Sequence, residues 1–381
     1  MTPGRAALEA KAETLMRDGE TIGPLTSLRF FAAAWVVLYA YWPDLAAPFT
    51  PLVVQRGFLG VELFFILSGF ILCHVYLSRF AEGAFRYRDF LWARLARIYP
   101  LHLATLAGVG LMAGGAILAG RAVDPNVLAW KALPANLLLV HAWGFAKVAG
   151  WNHSSWSISA EWFAYLLFPL FAWAALRLRA RPRMAMAAAL VMLAAFYWSF
   201  DRLAGFPLTQ ATIAWGALRI VPCFALGCAT YLVWRQGAAD RRKRGGAAAA
   251  LFAVGCLTAV QGGAPDAVVV GGFAGLILAL ATLGRGGSRL ASHPVFLYLG
   301  EISYSTYMLF VPWQLLFVNI AARIFHLADK RLPWYIWLIF VVAIFPLSAA
   351  SHHLIEKPAR RWLKLWGTQP HLGGLATIRA G

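Results

Sequence analysis

The stretch GFLGVELFFILSGFILCHVYLS, residues 57–78, decides the fold of this chain. It contains one carboxylate, Glu62, in a run that is otherwise almost entirely apolar or small. An α-helix rises about 1.5 Å per residue, so a run of this length can cross the roughly 30 Å of a bilayer's hydrocarbon core. The stretch therefore predicts a membrane-spanning helix.

The rest of the chain continues this pattern. Of its 381 residues 61% are hydrophobic and 13% are charged, whereas soluble domains usually contain about 25% charged residues. Such a chain cannot bury its apolar surface in one soluble core, so we predict an all-α integral membrane protein, a single bundle of about ten transmembrane helices. The predicted spans lie near 27–44, 57–78, 98–120, 156–176, 184–200, 213–234, 246–262, 267–284, 295–320 and 333–351.

The net charge of +18 would suggest nucleic-acid binding in a soluble protein. Here most of the basic residues lie in the loops on one predicted side of the membrane. With a cytoplasmic N-terminus, 24 of the 34 Lys and Arg residues fall in cytoplasmic connections and 8 in the opposite set. The positive-inside rule explains this excess, so we predict that both termini are cytoplasmic and that nucleic acid is not a partner.

Three regions follow from these spans: a cytoplasmic N-terminal segment 1–24, a transmembrane domain 25–364 and a cytoplasmic tail 365–381. The apolar segment 129–147 is short and contains Pro134, and an eleventh span there would reverse every later loop. We therefore predict a surface or re-entrant segment on the outer side. The four cysteines lie in apolar runs without metal-ligand spacing, which predicts buried thiols, no disulfide and no metal site.

Basic residues near the cytoplasmic side are the first functional candidates, because a charge within a span is unfavourable unless it faces a partner or water. Arg29 lies about one turn into the first span, where it could simply extend to the interface. Arg94 and Arg97 are three apart on one helical face. Two such guanidinium groups suit a bidentate grip on phosphate, although they also suit an ordinary positive-inside anchor.

A second group of candidates lies towards the outer side, in the segment WNHSSWSISAEWF, residues 151–163. Asn152 and His153 precede the fourth span, and Glu161 lies a little over one turn into it. Indole rings such as that of Trp156, beside amides and carboxylates, could form a sugar-binding wall or merely an aromatic belt. Glu62 could orient a neighbouring His or Arg, or be an interfacial acid.

Hydroxyl groups are concentrated in one later helix, at Ser303, Tyr304 and Tyr307. Arg219 is a plausible counter-charge for a buried acid, with no partner assigned by sequence. We interpret these residues as a packed polar network. No Ser-His-Asp elbow or phosphate-binding loop is visible in the sequence.

Taken in order, these segments resemble the acyltransferase 3 family of bacterial membrane O-acyltransferases, and the likeness runs from Leu25 to about Lys364. The family is marked by an Arg in the first span with a His eleven positions later, then by five further motifs. The five read here as GVELFFILSGF, Arg94 with Arg97, WSISAE, ISYSTY and EKPARR. Position 40, where the family's His is expected, is Ala40, and Phe310 stands where many relatives carry a second His.

The resemblance implies transfer of an acyl group, expected to be acetyl, from cytoplasmic acyl-CoA to a hydroxyl of a cell-envelope carbohydrate, in the bacterial inner membrane. No cofactor is bound permanently, acyl-CoA is the donor substrate, and a homo-oligomer is possible. The expected catalytic positions are Ala40, Arg29 and Glu161. Donor binding is assigned to Arg94, Arg97, Arg29 and Tyr99, acceptor binding to Asn152, His153, Trp156 and Glu62, and a supporting role to Arg219, Ser303, Tyr304 and Tyr307.

Ala40 has neither a proton acceptor nor a nucleophile, so we expect this chain to fold and bind donor while being nearly inactive. A deliberate replacement of the catalytic His, made to trap substrates, explains this best. The alternatives are a natural relative turned to binding, or an enzyme that uses His74, His153 or Glu62 instead. Two other classes of protein remain open: a transporter or flippase of a lipid-linked sugar, and a non-enzymatic acyl-CoA-binding protein.

Overall fold

The computed structural model describes residues 22–237, 242–284 and 292–367, and these residues form an all-helical bundle without a β-strand. The predicted N-terminal segment 1–24 and tail 365–381 lie almost wholly outside the described residues. The helices of eight or more residues, numbered in chain order, are α1 (Gly23–Tyr41), α2 (Gly60–Ala81), α3 (Tyr87–Leu118), α4 (Trp156–Leu166), α5 (Phe168–Leu178), α6 (Pro182–Ala204), α7 (Gly216–Gln236), α8 (Arg242–Gln261), α9 (Asp266–Gly284), α10 (Pro294–Glu301), α11 (Ser303–Ile324), α12 (Trp334–Ser351) and α13 (Lys357–Gly367).

A helix lies at each of the ten predicted spans, which supports the predicted membrane bundle. Among the described residues, eight helical segments are long and apolar enough to cross a bilayer. The bent pair α4–α5 would add a ninth crossing, and the apolar part of α8, Gly245–Gln261, is shorter. The number of ten crossings and the cytoplasmic position of both termini stay predictions.

Two predicted spans are interrupted rather than continuous. Helices α4 and α5, expected as one span over 156–176, meet at Leu167 with a bend of 58°. Pro169 has no backbone N–H to continue the α4 hydrogen-bond ladder, and the hydroxyl of Tyr87 donates to the carbonyl of Leu166 at the bend (2.9 Å). The expected span 295–320 is divided at Ile302 into α10 and α11.

Helices α2 and α7 approach one another closely, because glycines remove the side chains at their crossing. A Cβ added to Gly69 would collide with the backbone carbonyl of Phe224, and one added to Gly227 would collide with that of Ile66. Small residues of this kind allow close helix packing in membranes. This contact holds α2, the most deeply buried of the spanning helices after α7, in the centre of the bundle.

The segment 129–147 forms three short helical turns, Trp130–Ala132, Leu133–Leu137 and His141–Trp143, none long enough to cross a bilayer. This agrees with the prediction that it is not an eleventh span. It is more than a surface loop, because the side chains of Asn136 and His141 are buried against the bundle. The four cysteines are free and buried, as predicted.

Candidate active site

A cavity of about 240 Å³ lies inside the bundle, between α1, α2, α3, α4 and α11. Apolar side chains form much of its wall. The polar side chains that line it are those of Thr26, Arg29, Ser68, His74, Arg94, Arg97, Ser157, Glu161, Tyr165, Ser303, Tyr304 and Tyr307. The structure therefore brings four predicted features to one place, namely Arg29, the pair Arg94 and Arg97, Glu161, and the hydroxyl residues of α11.

One end of the cavity is basic. Helix α1 contributes Arg29, and helix α3 contributes Arg94 and Arg97 one turn apart. Arg94 donates to the hydroxyl of Tyr76 (3.2 Å), and its guanidinium lies 5.6 Å from the centre of that ring. None of the three arginines forms an ion pair with a residue that the structure describes. Three guanidinium groups without a paired carboxylate form a site that suits an anion.

A carboxylate also lines the cavity, on α4. Glu161 accepts a hydrogen bond from the hydroxyl of Ser68 on α2 (2.6 Å). Both side chains are half-buried and line the cavity, so a bound molecule can reach the carboxylate. A carboxylate in this position can accept a proton from a hydroxyl group or orient one. The sequence could not predict its bond to Ser68, because the two residues are 93 positions apart.

The hydroxyl groups of Ser303 and Tyr304 on α11 are both hydrogen-bonded to backbone carbonyls. Ser303 donates to the carbonyl of Gly300 (2.8 Å), and Tyr304 donates to the carbonyl of Ile98 (2.6 Å). Tyr307 packs edge-on against Phe64 at 6.2 Å. These contacts occupy the hydroxyls of Ser303 and Tyr304, so both residues fix the cavity wall rather than offer nucleophiles.

Glu62 and Arg219 form a buried ion pair outside this cavity. The Nε of Arg219 donates to one carboxylate oxygen of Glu62 (2.5 Å) and Nη2 donates to the other (2.9 Å). Nη1 donates to the carbonyl of Ala211 (2.9 Å), and the guanidinium lies 4.7 Å from the ring of Trp156. Both charged side chains are almost wholly buried. Arg219 thus has the acidic partner that the sequence left unassigned.

The residues predicted to bind the acceptor are not brought together at an open surface. Asn152 is buried, and its amide donates to the carbonyl of Met308 (2.9 Å) and accepts from Ser154 (2.9 Å). Trp156 covers the Glu62–Arg219 pair, while His153 is exposed. The structure therefore gives Asn152, Trp156 and Glu62 internal contacts, and their acceptor-binding role stays a prediction.

Two further predicted positions lie outside the cavity. Ala40 is half-buried near the far end of α1, where its carbonyl accepts from the amide of Gln314 (3.1 Å), and the same amide donates to Asp44 (2.7 Å). The α1 residues that line the cavity end at Arg29. Tyr99 points away as well, since its hydroxyl donates to the carbonyl of Leu137 (3.0 Å).

Sequence reasoning missed a buried pair of histidines. The rings of His102 and His141 are parallel, with an interplanar angle of 2° and centres 6.0 Å apart. His102 bonds the carbonyl of Asn136 (2.9 Å), and His141 bonds the hydroxyl of Ser155 (3.1 Å). Burial, with a smaller contribution from His102, lowers the pKa of His141 to about 3. No periodic signal could have found this pair, because one member lies in the irregular segment 129–147.

Comparisons with known proteins agree with the motifs. The sequence model of one family, described as an acyltransferase domain, matches residues 25–353. The chain is 35% identical over 156 residues to acyltransferase MdmB of Streptomyces mycarofaciens, covering 39% of this chain and 38% of that protein.

A shorter match, 49% identical over 51 residues, is to protein 2 in the picA locus of Rhizobium radiobacter; it covers 13% of this chain and 27% of that protein. The chain therefore covers less than two thirds of the length of either relative. No solved structure matches the chain significantly.

Proposed function

The chain belongs to this acyltransferase family, and we propose that it is a membrane O-acyltransferase that takes an acyl group from cytoplasmic acyl-CoA and gives it to a carbohydrate hydroxyl. The family and the apolar helices indicate a multi-pass membrane protein. We place it in the bacterial inner membrane and its acceptors among cell-envelope glycans. No permanent cofactor is proposed.

The observation that carries this proposal is the cavity that joins a basic end to a carboxylate. CoA carries a diphosphate and a ribose 3′-phosphate, and Arg29, Arg94 and Arg97 offer guanidinium groups that suit such anions. The pantetheine arm is narrow and largely uncharged, which matches the partly apolar passage towards Glu161.

In the proposed reaction the acceptor's hydroxyl oxygen attacks the thioester carbonyl and forms the ester bond. The carbon–sulfur bond breaks, and the CoA thiolate leaves and is protonated to the thiol. The proton of the hydroxyl passes to a base. An imidazole at position 40 would be that base, and Ala40 cannot serve. We therefore propose that this chain is catalytically impaired and that Glu161, which lines the cavity, is the proton acceptor available to it.

Donor binding is tested by isothermal titration calorimetry, in which CoA is titrated into the full chain in lipid nanodiscs. Arg94→Gln or Arg97→Gln should each weaken binding about tenfold, the loss expected for one charged hydrogen bond. Arg88→Gln is the matched control, because Arg88 lies on the same helix but is exposed. If the chain does not bind CoA, or if all three variants bind alike, the donor site is not the basic end of this cavity.

Catalysis is tested by the transfer of radiolabel from acetyl-CoA to a panel of sugars and to envelope glycan. Ala40→His should raise the rate about 10²–10⁴-fold, the usual contribution of a general base. Ala40→Gln is the control, since its amide is of similar size but does not accept a proton at neutral pH. Glycan crossing the membrane unmodified, with no labelled product from Ala40→His, would favour a transporter.

A further inference from the structure

The last described helix, α13, lies against the basic end of α3. It follows α12 after the π-helical turn His352–Glu356 and packs along α3. The indole N–H of Trp92 on α3 donates to the carbonyl of Leu363 on α13 (2.8 Å). Trp92 is two residues before Arg94, so this contact fixes α13 beside the arginines of the cavity.

One side chain of α13 is directed towards those arginines. Arg360 lies one turn after Glu356 and about one turn before Leu363, so the three share a helix face. Glu356 is buried and accepts from Ser305 (2.9 Å), and Leu363 is held at Trp92. Arg360 is half-buried between these two contacts, whereas the next residue, Arg361, is exposed.

The charge of Arg360 is not neutralised within the described part of the chain. Arg97 and Arg94 both repel Arg360 electrostatically, and Glu356 attracts it. Glu356 already binds Ser305 and His352 (3.0 Å), and no described residue forms an ion pair with Arg360. Clustered guanidinium groups of this kind repel one another unless an anion lies between them.

We propose that Arg360 is a fourth donor-binding arginine, which contacts a phosphate of acyl-CoA at the mouth of the cavity and so joins α13 to the site. This inference rests on the proposed function. Arg94 and Arg97 on α3 would hold phosphate from one side, and Arg360 on α13 from another. CoA carries phosphates at two positions, so it can contact arginines on both helices at once. A ligand with a single phosphate fits this arrangement less well.

The test compares Arg360→Gln with Arg361→Gln in the full chain in nanodiscs, using CoA and pantetheine as probes. The two residues are adjacent and carry the same charge, but Arg360 is half-buried and Arg361 is exposed. We expect Arg360→Gln to weaken CoA binding about tenfold, as for the loss of one charged hydrogen bond, and Arg361→Gln less than twofold. Pantetheine, which lacks the nucleotide phosphates, should bind both variants alike.

Arg360→Lys provides a check against misfolding, because it keeps the charge and should retain more affinity than Arg360→Gln. Equal CoA affinity for the Arg360→Gln and Arg361→Gln variants would overturn the inference. So would an equal loss of pantetheine binding, since that result indicates general damage to the cavity. If CoA binding depends on Arg94 and Arg97 but not on Arg360, only this inference fails; if the unaltered chain binds no CoA, the proposed function fails.

Discussion

Replacing Glu62 by Gln should strongly lower the stability of the bundle, and it should do so without removing a contact to the substrate. The change keeps the shape of the side chain but removes its charge. Arg219 would then remain buried and positively charged, with its two bonds to Glu62 reduced to one neutral bond. The second carboxylate oxygen becomes an amide that faces another N–H donor. Because Glu62 is outside the cavity, the effect should appear in stability before it appears in CoA affinity.

The expected loss follows from the contacts of Arg219. Each hydrogen bond to a charged partner contributes about 1.5–3 kcal/mol. Breaking one side of a buried ion pair typically costs about 3–5 kcal/mol. The bond to the Ala211 carbonyl and the stacking on Trp156 remain in the variant. We therefore expect Glu62→Gln to lower the free energy of unfolding by about 3–5 kcal/mol.

Unfolding in mixed micelles titrated with sodium dodecyl sulfate measures this free energy. Glu301→Gln is the control, because Glu301 is an exposed acid and should change stability by less than about 0.5 kcal/mol. Arg219→Gln should resemble Glu62→Gln, and the double variant should lose about 1–3 kcal/mol less than the sum of both. Losses below about 1 kcal/mol, or fully additive ones, would refute the reasoning that this pair is a buried structural contact.

Three further predictions concern packing, protonation and position 40. Gly69→Ala should separate α2 from α7 and greatly lower the yield of folded protein in size-exclusion chromatography. Gly108→Ala should be tolerated, because nothing lies near its new methyl group. Equal yields of the two variants would contradict the close approach of α2 and α7. Burial keeps His141 neutral in the folded state while the unfolded chain protonates it below about pH 6.5, so folding loses about 2 kcal/mol between pH 7 and pH 5. The stability gap to His141→Gln should narrow by that amount on acidification, and a constant gap would show that His141 does not titrate in this way. Asp44 lies one turn after position 40, where it accepts a hydrogen bond from Gln314 and could orient an imidazole placed at position 40. In the Ala40→His variant, Asp44→Asn should therefore lower the rate of acyl transfer and shift its pH profile. An unchanged pH profile would show that Asp44 does not orient the imidazole.

The helices were predictable from the sequence because lipid imposes a simple rule. Each spanning segment must satisfy its own backbone and present apolar side chains, and the run at 57–78 does so within one stretch. The bend between α4 and α5 was not predicted. Pro169 lies inside the predicted span 156–176, where a proline indicates a kink, and it is the sequence signal that could have shown the break.

The sequence predicted which residues belong to the site better than it predicted which residues they contact. Arg29 and Glu161 are charged residues within predicted spans, which marks them individually. Arg94 and Arg97 were marked by their spacing, three apart just before the third predicted span. Pairing depends on how the helices rotate and pack, and that information is not local. Arg219 and Glu62 are 157 positions apart, and either could have faced another charge. For the same reason Tyr99, next to the donor arginines in sequence, turns instead to Leu137.

The position of Ala40 relative to the cavity separates donor binding from catalysis. Eleven residues make about three helical turns, so Ala40 lies on the face of Arg29 but roughly 16 Å further along α1. Ala33 and Val36 lie between them and are buried. A donor held at the arginines must therefore extend beyond this cavity to reach position 40, whereas Glu161 lines the cavity itself. If Glu161→Gln abolishes the activity that Ala40→His restores, both groups act on one reacting hydroxyl. If Glu161→Gln abolishes only the residual activity of the unaltered chain, the two positions serve separate reactions.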